Sequence, residues 1–172
     1  MSDSGAATKA SPPSPAASSP AGTAPAAPSP EQTRAAGPVP QGPARACSPD
    51  DVVISLFSSQ ASYGPGQLPE FSVDVVSTSA RTCAFNVGPR FLALVITADG
   101  KRVWSSADCV AGRGSLQTDL ARGVPTAVPL SWDRESSAPG CRVTSRQVTA
   151  GSFAAAASDA GLASNSLTFT LS

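Results

Sequence analysis

Histidine is absent from this 172-residue chain, which removes the commonest general base and the commonest metal ligand together. Charge is scarce: 14% of residues are charged, and 12 basic side chains balance 12 acidic ones. A balance of this kind gives no electrostatic grip on nucleic acid or anionic lipid, so no nucleic-acid partner is expected. Long hydrophobic runs are missing too. No stretch approaches the roughly 18 apolar residues of a membrane-spanning helix. Met1-Ser2-Asp3-Ser4 lacks the basic start and apolar stretch of a signal peptide.

The motifs of several reaction classes are also missing. Serines are plentiful, but there is no Gly-x-Ser-x-Gly elbow and no histidine to activate one. A Ser–Lys dyad would have to use Lys9 or Lys101, the two lysines of the chain. Gly112-Arg113-Gly114 lacks the Gly-Lys-Ser/Thr that completes a phosphate loop. Asp50-Asp51 and Asp133-Arg134-Glu135 do not have calcium-loop spacing and read as solvated turn charges. The expectation is a protein that is not an enzyme, with no catalytic residue, no cofactor and no metal.

Composition divides the chain near Cys47. Ten of the 17 prolines precede Cys47, mixed with Ala, Ser, Gly and Thr, while every aromatic residue follows it. Without large apolar side chains, a segment cannot offset roughly 1–2 kcal/mol per residue of backbone ordering entropy. Residues 1–46 are therefore expected to be a disordered tether. Pro12-Pro13-Ser14-Pro15 suits either a spacer or a ligand for a proline-recognising module. Residues 47–172 form the single domain.

Four cysteines, Cys47, Cys83, Cys109 and Cys141, are spaced by 36, 26 and 32 residues. The short ligand spacing of a structural zinc site is absent. If Asp51–Phe57 pairs antiparallel with Phe71–Ser77 about a turn at Tyr63–Gln67, opposed residue numbers add to about 130. Cys47 and Cys83 share that sum, so they pair, which leaves Cys109 with Cys141. Each bridge closes a loop of about 30–40 residues, worth roughly 3–4 kcal/mol in the chain-entropy model. Disulfides persist outside the cytosol. The expected location is therefore extracytoplasmic, secreted or membrane-tethered, with an anchor or signal upstream of this chain. Four free thiols in a cytoplasmic domain is the competing reading. Ala44-Arg45-Ala46-Cys47 has no hydrophobic stretch before it, so lipidation of Cys47 is not expected.

From Cys47 onward the pattern is β. Val52, Ile54 and Leu56 alternate with Val53, Ser55 and Phe57, and Phe71, Val73 and Val75 with Ser72 and Asp74. Phe91–Ile96 is apolar on both faces, as in a central strand, and Asp99-Gly100 then makes a hairpin turn into Arg102–Ser105. Val124–Asp133 alternates with Pro125 and Pro129 in one parity, which predicts an edge strand. Ser152–Ala157 reads as a strand, although an alanine run also suits helix, and Leu167–Leu171 closes the series. Seven or eight strands predict an all-β, immunoglobulin-like two-sheet sandwich. Its expected core is Val52, Ile54, Leu56, Phe71, Val73, Val75, Leu94, Ile96, Trp104, Val128, Leu130, Trp132, Phe153, Phe169 and Leu171. Trp104 and Trp132 lie on apolar strand faces, which favours core packing over an exposed sugar platform.

Phe91–Ser106, Leu120–Asp133 and Ala150-Gly151-Ser152-Phe153 resemble the central hairpin and two later strands of the BsuPI-type intracellular proteinase inhibitor domain. The resemblance covers about residues 68–172 and implies an immunoglobulin-like sandwich. Trp104-Ser105-Ser106-Ala107-Asp108-Cys109 is similar to a segment of actinobacterial envelope proteins that carry such a domain after a Pro/Ala-rich tether. The long stretch from Ala107 to Gly123, anchored by Cys109 and bearing Arg113 and Arg122, reads as a partner-binding loop or a crossover between sheets. Two functions remain. One is a non-catalytic envelope module that binds a protein or wall polymer through this loop or the Pro125/Pro129 edge. The other is a protease inhibitor that presents Arg113 or Arg122.

Overall fold

The computed structural model describes residues 44–141 and 146–172; of the tether expected over residues 1–46, residues 1–43 lie outside the described residues, while Arg45 and Ala46 are held by backbone pairing to Ala84 and so belong with the domain. Among those described, eleven strands form three sheets. β1 (Val52–Ser58) buries Val52, Ile54 and Leu56 on one parity, and β3 (Glu70–Ser77) alternates polar Glu70, Ser72 and Asp74 with buried Phe71, Val73 and Val75; the two pair antiparallel from Val52–Ser77 to Ser58–Phe71. β8 (Thr126–Ser131) joins the far side of β3, giving the order β1-β3-β8. The second sheet runs β2 (Ser62–Tyr63), β11 (Leu167–Leu171), β9 (Gly151–Asp159), β5 (Ala93–Ala98), β6 (Lys101–Ser105), and β10 (Leu162–Ala163) returns along β9. β4 (Cys83–Asn86) and β7 (Gln117–Leu120) make a two-stranded ribbon.

The inner faces of the two large sheets enclose the core. Ile54, Leu56, Val73 and Val75 from one sheet and Leu94, Ile96, Ala155, Ala157, Phe169 and Leu171 from the other are all buried. The architecture is an all-β sandwich. Each large aliphatic or aromatic side chain buried here contributes roughly 1.5–3 kcal/mol. Trp104, Val128 and Leu130, expected in the core, are only half-buried because β6 and β8 are edge strands.

Several expectations need correction. β5 begins at Ala93, not Phe91: Phe91 and Leu92 close a turn onto the Gly88 carbonyl, leaving Phe91 45% exposed. The turn expected over Tyr63–Gln67 begins after Tyr63, with Gln67 N–H donating to the Gly64 carbonyl. Tyr63 belongs to β2, which runs parallel to β11, and it is fully buried. Ala107–Gly123 is no single loop, because it contains β7, whose Leu120 is fully buried opposite Cys83. The alanine run is a strand as expected, lengthened to nine residues between β5 and β11. At the 99–100 turn, Asp99 (φ 50°) and Gly100 (φ 72°) both take left-handed conformations, the backbone of a type I′ hairpin.

Edges are managed one by one. The outward N–H of Leu56 on β1 donates to Asn165 Oδ1 at 2.8 Å, and Asn165 Nδ2 donates to the Leu56 carbonyl at 3.0 Å. One side chain thus stands in for a neighbouring strand. Replacing Asn165 by alanine removes both bonds and should cost about 1–3 kcal/mol. The check is a lowered urea midpoint with an unchanged denaturant slope. The β6 edge is covered by the segment around Ser137, whose N–H donates to the Val103 carbonyl (3.0 Å) and whose hydroxyl accepts from the Ser105 N–H (3.1 Å). Asp108, a buried carboxylate, fixes that segment by accepting hydrogen bonds from Ser137 and Arg102.

Candidate functional site

Among the described residues, no segment covers the outer edge of β8 in this way. Trp132 N–H donates to the Pro69 carbonyl at 3.0 Å, so even-numbered residues of this segment turn their backbone toward β3 and odd-numbered ones turn theirs outward. Pro129 therefore stands where an outward N–H would be, and Pro125 has the same parity just before the strand. The edge presents carbonyls but few donors, which blunts open-ended strand addition. The edge expectation for Pro129 follows from this parity.

Beside that edge lies an open groove of about 530 Å³ on the outer face of the β1-β3-β8 sheet. Its shape follows from register. Phe57, Ser72 and Pro129 stand in one cross-strand row, so a small side chain sits between two bulky ones. Phe57 is 54% exposed. Ser59, Glu70 and Ser131 form the adjacent row, and Asp74 lies on the other side of Ser72, accepting its hydroxyl at 3.0 Å. Glu70 and Ser72 share the outward parity of β3, opposite to buried Phe71 and Val73.

Tyr63 fastens one end of the groove. Its hydroxyl lies 2.8 Å from Ser58 Oγ and 3.1 Å from Ser59 Oγ, donates to the Glu70 carbonyl, and accepts from the Gln60 N–H. Burial raises the phenol's pKa, but these hydrogen bonds together outweigh it and hold the group below its ordinary value. The groove wall is thus fixed by a hub in the core.

The cysteines are joined as two pairs. Cys47–Cys83 has a Cα–Cα distance of 4.8 Å and Cys109–Cys141 one of 5.0 Å. The first does not arise by extending the β1–β3 ladder. Residues 45–47 run parallel beside β4, with Cys47 N–H donating to the Ala84 carbonyl (2.9 Å) and Ala84 N–H to that of Arg45 (2.7 Å). The second ties the turn after β6 to the segment covering the β6 edge.

Arg113 and Arg122 are exposed but not brought together, since β7 separates them. Arg113 sits in a turn between left-handed Gly112 (φ 65°) and Gly114 (φ 57°), and Arg122 precedes left-handed Gly123 (φ 70°). Among the described residues, no three His, Cys, Asp or Glu side chains gather into a possible metal cluster. No helix of the described residues is long and apolar enough to cross a membrane. The groove escaped the sequence reading, although Val53 and Phe57 on the outward parity of β1 were its visible sign.

No protein-family model and no curated protein matches this chain. Among solved structures, 70% of the chain is similar, at 19% identity and a TM-score of 0.46, to 15% of a β-glucosidase from Erythrobacter marinus. The same share is similar to 16% of a β-glucosidase from Listeria innocua, at 10% identity and a TM-score of 0.44. A CARDB domain from Pyrococcus furiosus, solved in complex with di-metal ions, is similar over 71% of this chain and 88% of its own length, at 10% identity and a TM-score of 0.39. The chain thus spans about a sixth of the length of the two β-glucosidases it resembles.

Proposed function

We propose that this protein is a non-catalytic binding module of the cell envelope, extracytoplasmic, which holds a protein or wall polymer against the outer face of the β1-β3-β8 sheet. The observation that carries the reading is the groove between Phe57 and Pro129: an exposed aromatic wall, a small floor and an edge that no described residue covers. Two disulfides support a compartment outside the cytosol. The β5–β6 hairpin and the β8 and β9 segments, which resemble the BsuPI-type domain, supply scaffold to this module rather than a reactive group. A rigid sandwich with its recognition surface at one sheet edge is a common arrangement for binding without chemistry.

The inhibitor reading has weaker support. A protease cleft takes its substrate as an extended strand, whereas both candidate arginines sit in turns beside left-handed glycines. Titration against a panel of trypsin-like proteases addresses it directly, and inhibition at micromolar protein that is lost in Arg113→Ala would restore it.

The binding reading is tested by sedimenting the purified chain with isolated envelopes of its host. Wild-type protein should be retained, and Phe57→Asp should be released at least about tenfold more readily, since it puts a charge into an apolar contact. Circular dichroism should show that the variant is folded, because residue 57 faces solvent. Equal retention of both proteins, or retention of neither, would overturn the proposal.

A further inference from the structure

The groove's charge is one-sided. Along the middle strand of this face, Glu70, Ser72 and Asp74 follow one another on the outward parity, and the outward positions of β1 and β8 hold no basic residue. Among the described residues, the one salt bridge joins Arg102 to Asp108, on the other sheet. Neither Glu70 nor Asp74 has a salt-bridge partner among the described residues. Around Glu70 stand the hydroxyl residues Ser58, Ser59 and Ser131, and beside it the exposed ring of Phe57. The face is acidic, aromatic and rich in hydrogen-bond acceptors.

Resting on the binding reading above, we propose that the occupant is an arginine side chain carried on an extended segment of a partner protein. Its guanidinium lies over the Phe57 ring, paired with the Glu70 carboxylate, while its methylene stem covers Ser72 and packs against Pro129. The chemistry selects this group. A planar cation that is weakly hydrated stacks on an aromatic face and offers five N–H donors in a fixed fork. A carboxylate takes two of them and serine hydroxyls accept others. An ammonium supplies three donors from one point and no flat surface to lay against Phe57. An anion is disfavoured by both carboxylates. The edge limits backbone pairing: Pro129 removes an outward donor from β8, so the partner's backbone is held at scattered points and its side chain supplies most of the contact.

The test uses the full chain, isotopically labelled, with two short peptides as probes: acetyl-Ala-Pro-Arg-Pro-Ala-amide and the same peptide with citrulline, a neutral isostere, in place of arginine. The arginine peptide should shift the backbone signals of Phe57, Ser72 and Ser131 saturably, and the citrulline peptide should bind at least about tenfold more weakly. Glu70→Gln should lose a similar factor for the arginine peptide alone, and added salt should weaken the wild-type interaction. Equal binding of the two peptides, both abolished by Phe57→Asp, would overturn the arginine assignment and leave an apolar groove. No binding of either peptide, with envelope retention still dependent on Phe57, would also overturn it while the docking reading stands. No binding and no dependence on Phe57 would remove both.

Discussion

Replacing Trp132 by alanine is expected to cost about 3–5 kcal/mol, the range for emptying a large aromatic site in a core. Trp132 is fully buried one residue beyond β8, where its backbone N–H still donates to the Pro69 carbonyl at 3.0 Å. Its ring centroid lies 5.4 Å from Phe153 and 6.2 Å from Phe169, both edge-on, and 6.4 Å from Trp104. Its indole N–H also donates to the Glu135 carbonyl at 2.8 Å, holding the chain as it leaves the strand. Alanine would remove the contacts of three rings and the partner of that carbonyl in one change. Domains of this kind have about 5–15 kcal/mol in total, so the variant should be close to unfolding at 37 °C. Trp132→Phe retains most of the ring packing and should lose less than half as much. Urea titration checks the order, and in either variant Trp104 is the one remaining tryptophan to report it by fluorescence. Equal midpoints for wild type and Trp132→Ala would mean that the sheets do not close around this ring.

Trp132 was recognisable as core because it lies on the apolar parity of a strand whose other parity holds prolines. The same logic made β3 and β11 readable, because each alternates apolar residues on a buried face with polar ones, whereas in β1 the aliphatic run Val52, Ile54 and Leu56 marks the buried face although Val53 and Phe57 on the other are apolar too. It also placed the Asp99-Gly100 hairpin, where two left-handed residues are needed in succession. The register came close, with Val52 opposite Ser77, one residue from the expected sum. What alternation cannot record is a contact made by size alone. In β9, Ala155 and Ala157 are small because they stand across from Ile96 and Leu94 on β5, and an alanine run looks the same in a helix. β7 has one large apolar residue, Leu120, and exists because β4 pairs with it. Tyr63, beside Gly-Pro-Gly, resembled a turn residue; its role as a hub depends on Ser58, Ser59 and Glu70, which only the folded chain brings to it. The candidate site divides along the same line. The β8 edge was legible in Pro125 and Pro129, but the groove needed the row Phe57–Ser72–Pro129, which no single strand contains.

Removing the Cys47–Cys83 bridge by a Cys47→Ala/Cys83→Ala double substitution should destabilise the domain by about 3–4 kcal/mol, near the chain-entropy value for a link across 36 residues. The companion substitution at Cys109 and Cys141 removes a link across 32 residues, so the entropic loss is nearly equal. Burial separates the two. Cys83 is 5% exposed and faces Leu120 across the β4–β7 ribbon, whereas Cys109 and Cys141 are both exposed. Loss of the first bridge therefore leaves a packing defect in addition to a freer unfolded chain, and also loosens residues 45–47 from β4. Loss of the second frees the segment over the β6 edge, which Asp108 still holds through Ser137 and the 3.1 Å bond from Gly140 N–H to its carbonyl. Urea titrations of both double variants should give the larger shift for Cys47/Cys83, and reductant should lower the wild-type midpoint toward the sum of the two. If reductant left the wild-type midpoint unchanged, the sulfurs would contribute nothing to holding the fold, and the argument for an oxidising compartment would lose its physical basis.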